Sequence, residues 1–222
     1  MQRHNGGTGF TGDSSLLSRR LSRSLQAVAL THQLLGQSIG VSAALATSTA
    51  KSPTAPKPHA HVYLLRGAFN IFSLGMDEIS ERLEKLGIST TVTNYLNWPS
   101  LADEAAADYK SGRVRPIILV GHSSGATAVT EMAARLSQLG VPVKLAIGLD
   151  PTSRLAAAGH VDRYINYYVA HGMGNAVDKS RALSGTVENV DLEKDPEIGH
   201  FNMDKNRALQ DRVIRDIRAA AQ

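Results

Sequence analysis

The sequence contains no cysteine, and aromatic residues make up only 5% of its 222 residues. Without cysteine the chain has no disulfide framework, no thiol nucleophile and no cysteine-based metal site, and its redox compartment stays open. It has no run of about 20 consecutive apolar residues, the length that a membrane-spanning helix needs, so we expect no stable membrane span. Phosphate-binding glycine loops, dinucleotide fingerprints and His-Glu-x-x-His zinc motifs are also missing from the sequence, so we predict no cofactor and no metal.

The positive charge of the chain is concentrated at its N-terminus. The whole chain has a formal net charge of +4, whereas residues 1–58 carry six basic residues and one acidic residue. The rest of the chain is therefore close to neutral. A domain that binds nucleic acid presents a basic patch or stripe, so we expect no nucleic-acid partner.

Residues 1–58 are predicted to form a leader followed by a linker. A segment with paired arginines, 18–23, precedes an apolar-leaning run, 25–46, that ends in Ala-Leu-Ala. This order is typical of a signal peptide, which would send the protein to the periplasm or outside the cell. The alternative is a disordered or mis-started N-terminus on a cytoplasmic protein, because polar residues interrupt the apolar run. The proline-rich stretch 52–58 cannot build a core, so the folded domain is predicted to span 59–222.

From residue 59 onward, predicted strands and helices alternate. Short apolar or β-branched runs indicate strands, and apolar residues at helical spacing between them indicate helices. The predicted strands are 62–65, 89–95, 116–120, 143–149, 163–169 and 187–192, and the helices include 101–110 and a last one around 209–217. This order predicts an α/β fold with a doubly wound, mostly parallel sheet. About a dozen residues separate Asp150 from Arg163, which leaves no room for a large cap domain.

The pentapeptide Gly121–Gly125, with the sequence GHSSG, matches the Gly-x-Ser-x-Gly pattern. It directly follows the most apolar strand and directly precedes a helix, the context in which a strand-to-helix turn presents a serine at the sheet edge. Glycines on both sides let strand and helix approach each other closely. Ser123 is therefore the candidate nucleophile. The backbone N–H of Ser124, at the positive end of the helix, is a candidate oxyanion donor.

A serine hydroxyl needs a base to take its proton, and the base needs a carboxylate to orient it. Asp150 ends an apolar strand, and His200 lies in a loop between the last strand and the last helix, so both follow Ser123 in the order Ser, acid, His. Alternatives remain for each role, since His171 could replace His200, and Asp178 or Asp191 could replace Asp150.

Residues 60–218 resemble the α/β-hydrolase family. Within that superfamily, the segments 121–126 (GHSSGA) and 147–151 (IGLDP) are similar to the corresponding stretches of pancreatic-type lipases. There the acid lies on this strand, which favours Asp150. The whole-domain pattern resembles uncharacterised bacterial lipase-like or thioesterase-like hydrolases. The resemblance implies a minimal α/β-hydrolase fold without a cap.

The same resemblance implies further site residues. The family takes its second oxyanion donor from the loop after the first core strand, here the backbone N–H of Ala68. Five side chains are candidates for lining the substrate site: Arg66, Phe69, Asn70, Trp98 and His122. Arg66 and Trp98 have simpler alternatives, a surface arginine and a packing tryptophan in a turn.

The expected activity is hydrolysis of carboxylic esters through an acyl-enzyme on Ser123. The expected partner is a small-molecule or lipid-like acyl substrate. An acyl thioesterase or an acyltransferase would use the same triad, and the sequence does not separate these from an esterase. The alternative from another class is a non-catalytic member of the fold that binds its ligand without turnover.

Overall fold

The computed structural model of the protein describes residues 58–68 and 73–222, so the predicted leader lies almost wholly outside the described residues. The strands are β1 His59–Arg66, β2 Ser89–Asn94, β3 Val114–His122, β4 Val143–Leu149, β5 Leu155–Gly159, β6 Val161–Tyr168, β7 Val177–Leu183 and β8 Thr186–Asp191. The α-helices are α1 Gly75–Glu84, α2 Trp98–Lys110, α3 Ser124–Gln138 and α4 Arg207–Ala220, with 3₁₀ turns at Tyr95–Asn97 and Met203–Lys205. Among the described residues, no helix is both long enough and apolar enough to cross a bilayer.

Six strands form one parallel sheet in the order β2-β1-β3-β4-β6-β8. The chain moves from β1 to β2 on one side and then places β3 on the other side of β1, so the strand order reverses between β1 and β3. In open α/β sheets, ligands bind outside the carboxyl ends of the strands at this point of reversal. The residues that directly follow β1, β3 and β4 therefore meet at one edge.

Both faces of the sheet are covered, which explains the continuous apolar runs in its central strands. Along β3, Ile117 and Leu119 belong to the core under α2 and α3, whereas Ile118 and Val120 belong to the core under α1 and α4. Side chains of a strand alternate between faces, so an uninterrupted apolar run fills both cores.

A second, two-stranded sheet was not predicted. The strands β5 and β7 pair in parallel and add Ala157, Val177 and Leu183 to the core on the α3 side. The sequence prediction missed β5 because its Leu-Ala-Ala-Ala-Gly composition lacks β-branched and aromatic residues, and it missed β7 because that strand is mostly polar and exposed. The predicted strands of the main sheet are all present, with ends within three residues of the predicted ones.

Candidate active site

The turn between β3 and α3 presents Ser123 at the edge of the sheet. Ser123 has φ 57° and ψ −121°, a backbone conformation that costs a non-glycine residue of order 1–3 kcal/mol and that surrounding structure must hold in place. The flanking glycines allow this turn. A Cβ on Gly121 would overlap the carbonyl of Gly125, and a Cβ on Gly125 would overlap the carbonyl oxygen of Leu65.

Three candidate side chains form one hydrogen-bonded line. The Nε2 atom of His200 lies 3.1 Å from Oγ of Ser123, and its Nδ1 atom lies 2.7 Å from Oδ2 of Asp150. The Asp150 side chain is fully buried and that of His200 is only 8% exposed. The backbone N–H of Val169 donates to the other carboxylate oxygen of Asp150 at 2.9 Å, so both carboxylate oxygens have a partner.

This arrangement fixes the proton positions in the resting site. An ionised carboxylate can only accept hydrogen bonds, so Nδ1 of His200 carries the proton and donates it to Asp150. Nε2 is then unprotonated and accepts the hydroxyl proton of Ser123. The geometry therefore allows His200 to take the hydroxyl proton of Ser123.

Two backbone N–H groups lie where an oxyanion could be received, one at the start of α3 and one in the loop that follows β1. Ser124 is the first residue of α3, so its N–H has no carbonyl partner within the helix. The backbone N–H of Gly67 donates to Oγ of Ser73 at 3.0 Å. The backbone N–H of Ala68 makes no hydrogen bond within residues 58–68 and 73–222. Gly67 lies against the nucleophile, since a Cβ there would be 3.1 Å from Cβ of Ser123.

His122 connects the two loops on either side of the nucleophile. Its Nε2 atom lies 2.8 Å from the carbonyl oxygen of His200, and its Nδ1 atom lies 2.9 Å from Oγ of Ser73. Because a carbonyl oxygen can only accept, Nε2 donates, and the unprotonated Nδ1 accepts the Ser73 hydroxyl proton. The Ser73 oxygen in turn accepts the N–H of Gly67. His122 thus joins the loop that carries Ala68 to the loop that carries His200.

Burial keeps His122 neutral. The residue is 1% exposed, and desolvation lowers its pKa from 6.5 to about 4. Sequence reasoning predicted His122 as a substrate-lining residue. It does line the cavity beside Ser123, but both ring nitrogens are occupied by protein groups. Ser73 was missed, because an isolated serine after a short loop carries no sequence signal.

A second connection joins the same two loops. The N–H of Gly75, at the start of α1, donates to Oδ2 of Asp204 at 2.8 Å. Asp204 is fully buried, and desolvation raises its pKa to about 6. Its Oδ1 atom has no hydrogen-bond partner among the described residues. Asp204 lies four residues after His200 in the sequence, and no role was predicted for it.

Two cavities open at the sheet edge. One, of about 280 Å³, is lined by the nucleophile, by His200 and by Gly67, Ala68, Ser73, His122, Ser124, Thr152, Met173 and Phe201. The other, of about 260 Å³, lies beside it and is lined by Tyr95, Leu96, Trp98, Ser124, Thr127, Ala128, Glu131, Thr152 and Ser153. We call them the histidine-side cavity and the helix-side cavity. Trp98 lines the second, where it also packs against the core.

One predicted lining residue is used elsewhere, and two fall outside the described residues. The guanidinium of Arg66 forms a two-pronged ion pair with the Asp77 carboxylate of α1, and Arg66 lines neither cavity. The planar guanidinium of Arg66 presents two N–H groups side by side, which bind the two oxygens of the carboxylate. Phe69 and Asn70 lie outside the described residues, and their role stays a prediction.

The alternative acids and bases have other partners. The His171 side chain is exposed and hydrogen-bonds to Glu193. Asp191 accepts the backbone N–H groups of Ala170 and Glu193, and Asp178 is exposed on β7. Only Asp150 and His200 form a line with Ser123.

The strand order and the position of the serine turn give the chain an α/β-hydrolase fold, as the sequence predicted. No protein-family model matches the chain, and no curated protein matches it. Solved structures similar to it include a protein described as an alpha/beta-superfamily hydrolase from Xanthomonas campestris pv. campestris, at 16% identity and TM-score 0.46, covering 72% of this chain and 99% of that chain.

Two further similar structures carry esterase and thioesterase names. Est1E from Butyrivibrio proteoclasticus is 13% identical with TM-score 0.46, covering 74% of this chain and 87% of that one. The type II thioesterase BorB from the borrelidin biosynthetic cluster is 11% identical with TM-score 0.48, covering 73% of this chain and 95% of that one. These similarities are too distant to carry an argument about substrate, which must come from the site itself.

Proposed function

We propose that the protein is a serine hydrolase that cleaves carboxylic esters through an acyl-enzyme on Ser123. The observation that carries the proposal is the hydrogen-bonded line from Ser123 through His200 to the buried carboxylate of Asp150. A serine in a strained turn at a helix N-terminus, hydrogen-bonded to an oriented imidazole, has the parts that nucleophilic catalysis requires.

In the first half of the reaction, Oγ of Ser123 attacks the ester carbonyl carbon while Nε2 of His200 takes the hydroxyl proton. The negative charge that develops on the carbonyl oxygen is received by the N–H groups of Ser124 and Ala68. When the tetrahedral intermediate collapses, the bond to the leaving oxygen breaks, and His200 returns the proton to that oxygen. An alcohol leaves, and the acyl group stays on Ser123.

In the second half, His200 takes a proton from water, and the hydroxide oxygen attacks the acyl carbon. Collapse of this intermediate breaks the bond to Oγ, which regains its proton from His200, and the carboxylic acid leaves. Asp150 stays ionised throughout and stabilises the imidazolium form of His200.

The direct test is hydrolysis of p-nitrophenyl esters by the full-length protein and by Ser123→Ala, His200→Ala and Asp150→Asn variants. We expect the first two variants to lose activity, and Asp150→Asn to lose on the order of 10⁴ in kcat, with circular dichroism showing that each is folded. A fluorophosphonate probe should label the wild type at Ser123 and leave Ser123→Ala unlabelled. A folded wild type that turns over no ester or thioester and resists the probe would support the non-catalytic alternative.

Acyl thioesters and acyl transfer are distinguished in the same assay. Acyl-coenzyme A hydrolysis with kcat/KM above that of the matching oxygen ester would make the protein a thioesterase. Transfer to an added alcohol in preference to water would make it an acyltransferase. Both outcomes would keep Ser123, His200 and Asp150 in their proposed roles.

A further inference from the structure

The helix-side cavity follows one face of α3 away from the nucleophile. Ser124, Thr127, Ala128 and Glu131 line it and are spaced i, i+3, i+4 and i+7, which places them on the same side of the helix. The facing wall comes from the 3₁₀ turn and the start of α2, through Tyr95, Leu96 and Trp98. Ser124 and Thr152 line this cavity and the histidine-side cavity alike, so the two meet beside Ser123.

The chemistry of ester cleavage assigns one substituent of the substrate to each cavity. The carbonyl carbon attacked by Ser123 bears an acyl chain on one side and the leaving oxygen on the other. His200 must reach the leaving oxygen to protonate it, so the leaving group lies in the cavity that His200, Met173 and Phe201 line. The acyl chain then enters the helix-side cavity, which His200 does not line.

The length of that cavity sets the acyl length. Seven residues of α-helix separate Ser124 from Glu131, which corresponds to about 10 Å at about 1.5 Å per residue. An extended chain advances about 3.3–3.6 Å for every three bonds. The cavity therefore matches a chain of up to about nine bonds, which is a medium-length acyl group in the range from octanoyl to decanoyl.

The walls of the cavity carry both polar and apolar groups, and charged side chains lie at its far end. Tyr95, Leu96, Trp98 and Ala128 supply apolar surface, and Leu96 is 68% exposed, so an acyl chain would cover it. Glu131 is exposed and also lines a neighbouring cavity with Asp103 and Arg135, which form an ion pair at 3.0 Å. Within the described residues, Glu131 forms no ion pair or side-chain hydrogen bond, and the nearby Arg135 is paired with Asp103 instead. A longer apolar chain would have to desolvate these charges, which costs free energy.

We propose that the helix-side cavity is the acyl subsite, that it accepts a medium-length unbranched acyl chain, and that Glu131 limits the length of that chain. The proposal rests on the proposed ester hydrolysis and adds to it the acyl class of the substrate.

The test is kcat/KM for p-nitrophenyl esters from acetate to hexadecanoate, measured with the full-length protein. Wild type should peak at octanoate or decanoate and fall at dodecanoate. Glu131→Leu should raise the dodecanoate-to-octanoate ratio about tenfold, since added apolar contact of one or two methylenes changes specificity by that order. The matched control is Glu104→Leu, an exposed glutamate of α2 that lines neither cavity and should leave the ratio unchanged.

A second pair of variants separates the two subsites. Thr127→Phe fills the helix-side cavity and should lower the octanoate-to-acetate ratio at least tenfold. Met173→Ala should instead change the preference among octanoate esters of different alcohols, without moving the acyl optimum. If Met173→Ala shifts the acyl optimum and Thr127→Phe shifts the alcohol preference, the assignment of the acyl chain to the helix-side cavity is overturned.

The outcomes also separate this proposal from the proposed function. Equal kcat/KM values across the acyl series would overturn the acyl subsite, and so would a Glu131→Leu variant with the wild-type dodecanoate-to-octanoate ratio. In both cases, turnover that depends on Ser123 would still support the proposed hydrolase activity. Absence of turnover for every ester and thioester, with no probe labelling, would overturn the proposed function itself.

Discussion

Replacing His122 by phenylalanine should disconnect the loop that carries Ala68 from the loop that carries His200. The phenyl ring fills much of the imidazole volume but neither donates nor accepts a hydrogen bond. The buried hydroxyl of Ser73 loses its acceptor, and the carbonyl oxygen of His200 loses its donor. Both groups lie beside atoms that must be positioned for the reaction, so the variant tests folding stability and catalysis together.

The expected losses follow from these two contacts. Leaving a buried polar group unpaired costs about 1–3 kcal/mol, so His122→Phe should lower the free energy of unfolding by about 2–5 kcal/mol at pH 7. Misplacing a catalytic group by about 1 Å can cost about 100-fold in rate. We therefore expect kcat to fall between tenfold and 100-fold, with a smaller change in KM.

The pH dependence of stability gives an independent signature. The pKa of His122 is about 4 in the folded protein and about 6.5 in an unfolded chain. Between these values the unfolded state binds more protons, so the stability contribution is full above pH 6.5 and is lost as pH falls toward 4. The difference corresponds to about 3 kcal/mol at about 1.4 kcal/mol per pH unit. Urea unfolding of His122→Phe should lack this part of the wild-type slope.

Two other substitutions of His122 should each keep one of its two hydrogen bonds. Asn places an amide oxygen near the position of Nδ1 and can still accept from Ser73, whereas Gln places an amide N–H near the position of Nε2 and can still donate to His200. We expect Gln to retain more kcat than Asn, because it keeps the contact to the histidine loop. Ser73→Ala should cost less stability in the Gln background than in the wild type, since the contact to His122 is already absent and only the bond from the Gly67 N–H is left to lose.

Wild-type kcat and stability in folded His122→Phe would refute this reasoning. So would a Ser73→Ala effect that adds in full to the effect of His122→Gln.

Three other predictions concern the same edge of the sheet. Ala68→Pro removes the proposed oxyanion donor and should lower kcat by about 10²–10³, whereas Ala68→Ser keeps the N–H and should stay near wild type in the ester assay. Asp204 holds its proton more tightly in the folded state, since its pKa is raised to about 6, so its contribution to stability is full below pH 4 and falls as pH rises to 6. Urea unfolding of Asp204→Asn should therefore show stability rising more steeply with pH over that range than wild type. Gly125→Ala should unfold at a lower temperature and lose probe labelling at Ser123, because the added Cβ overlaps the Leu65 carbonyl oxygen; an unchanged melting temperature would contradict that packing.

Most of the fold could be predicted from local pattern. Continuous apolar runs indicate strands buried on two faces, and the runs around 116–120 and 143–149 became the central strands β3 and β4. The small sheet of β5 and β7 could not be predicted, since its strands are stabilised by pairing and by packing on α3 rather than by their own composition.

The candidate site, like the fold, could be predicted only in part from the sequence. Chain order and strand ends predicted that Ser123, Asp150 and His200 lie at one edge, where the structure brings the three side chains within hydrogen-bond distance, because parallel strands bring their carboxyl ends together. The sequence could not show that both ring nitrogens of His122 would be hydrogen-bonded to groups of the protein. It also gave no indication that Arg66 would pair with Asp77.

The sequence by itself determined which elements form, in what order, and which serine sits in a strand-to-helix turn, since these depend on residues adjacent along the chain. Only the tertiary structure decided which histidine and carboxylate complete the line to Ser123, how Ser73 and His122 join two loops, and which cavity runs along α3. Those features depend on contacts between residues 49 to 78 positions apart, whose distances are set by packing of the whole domain.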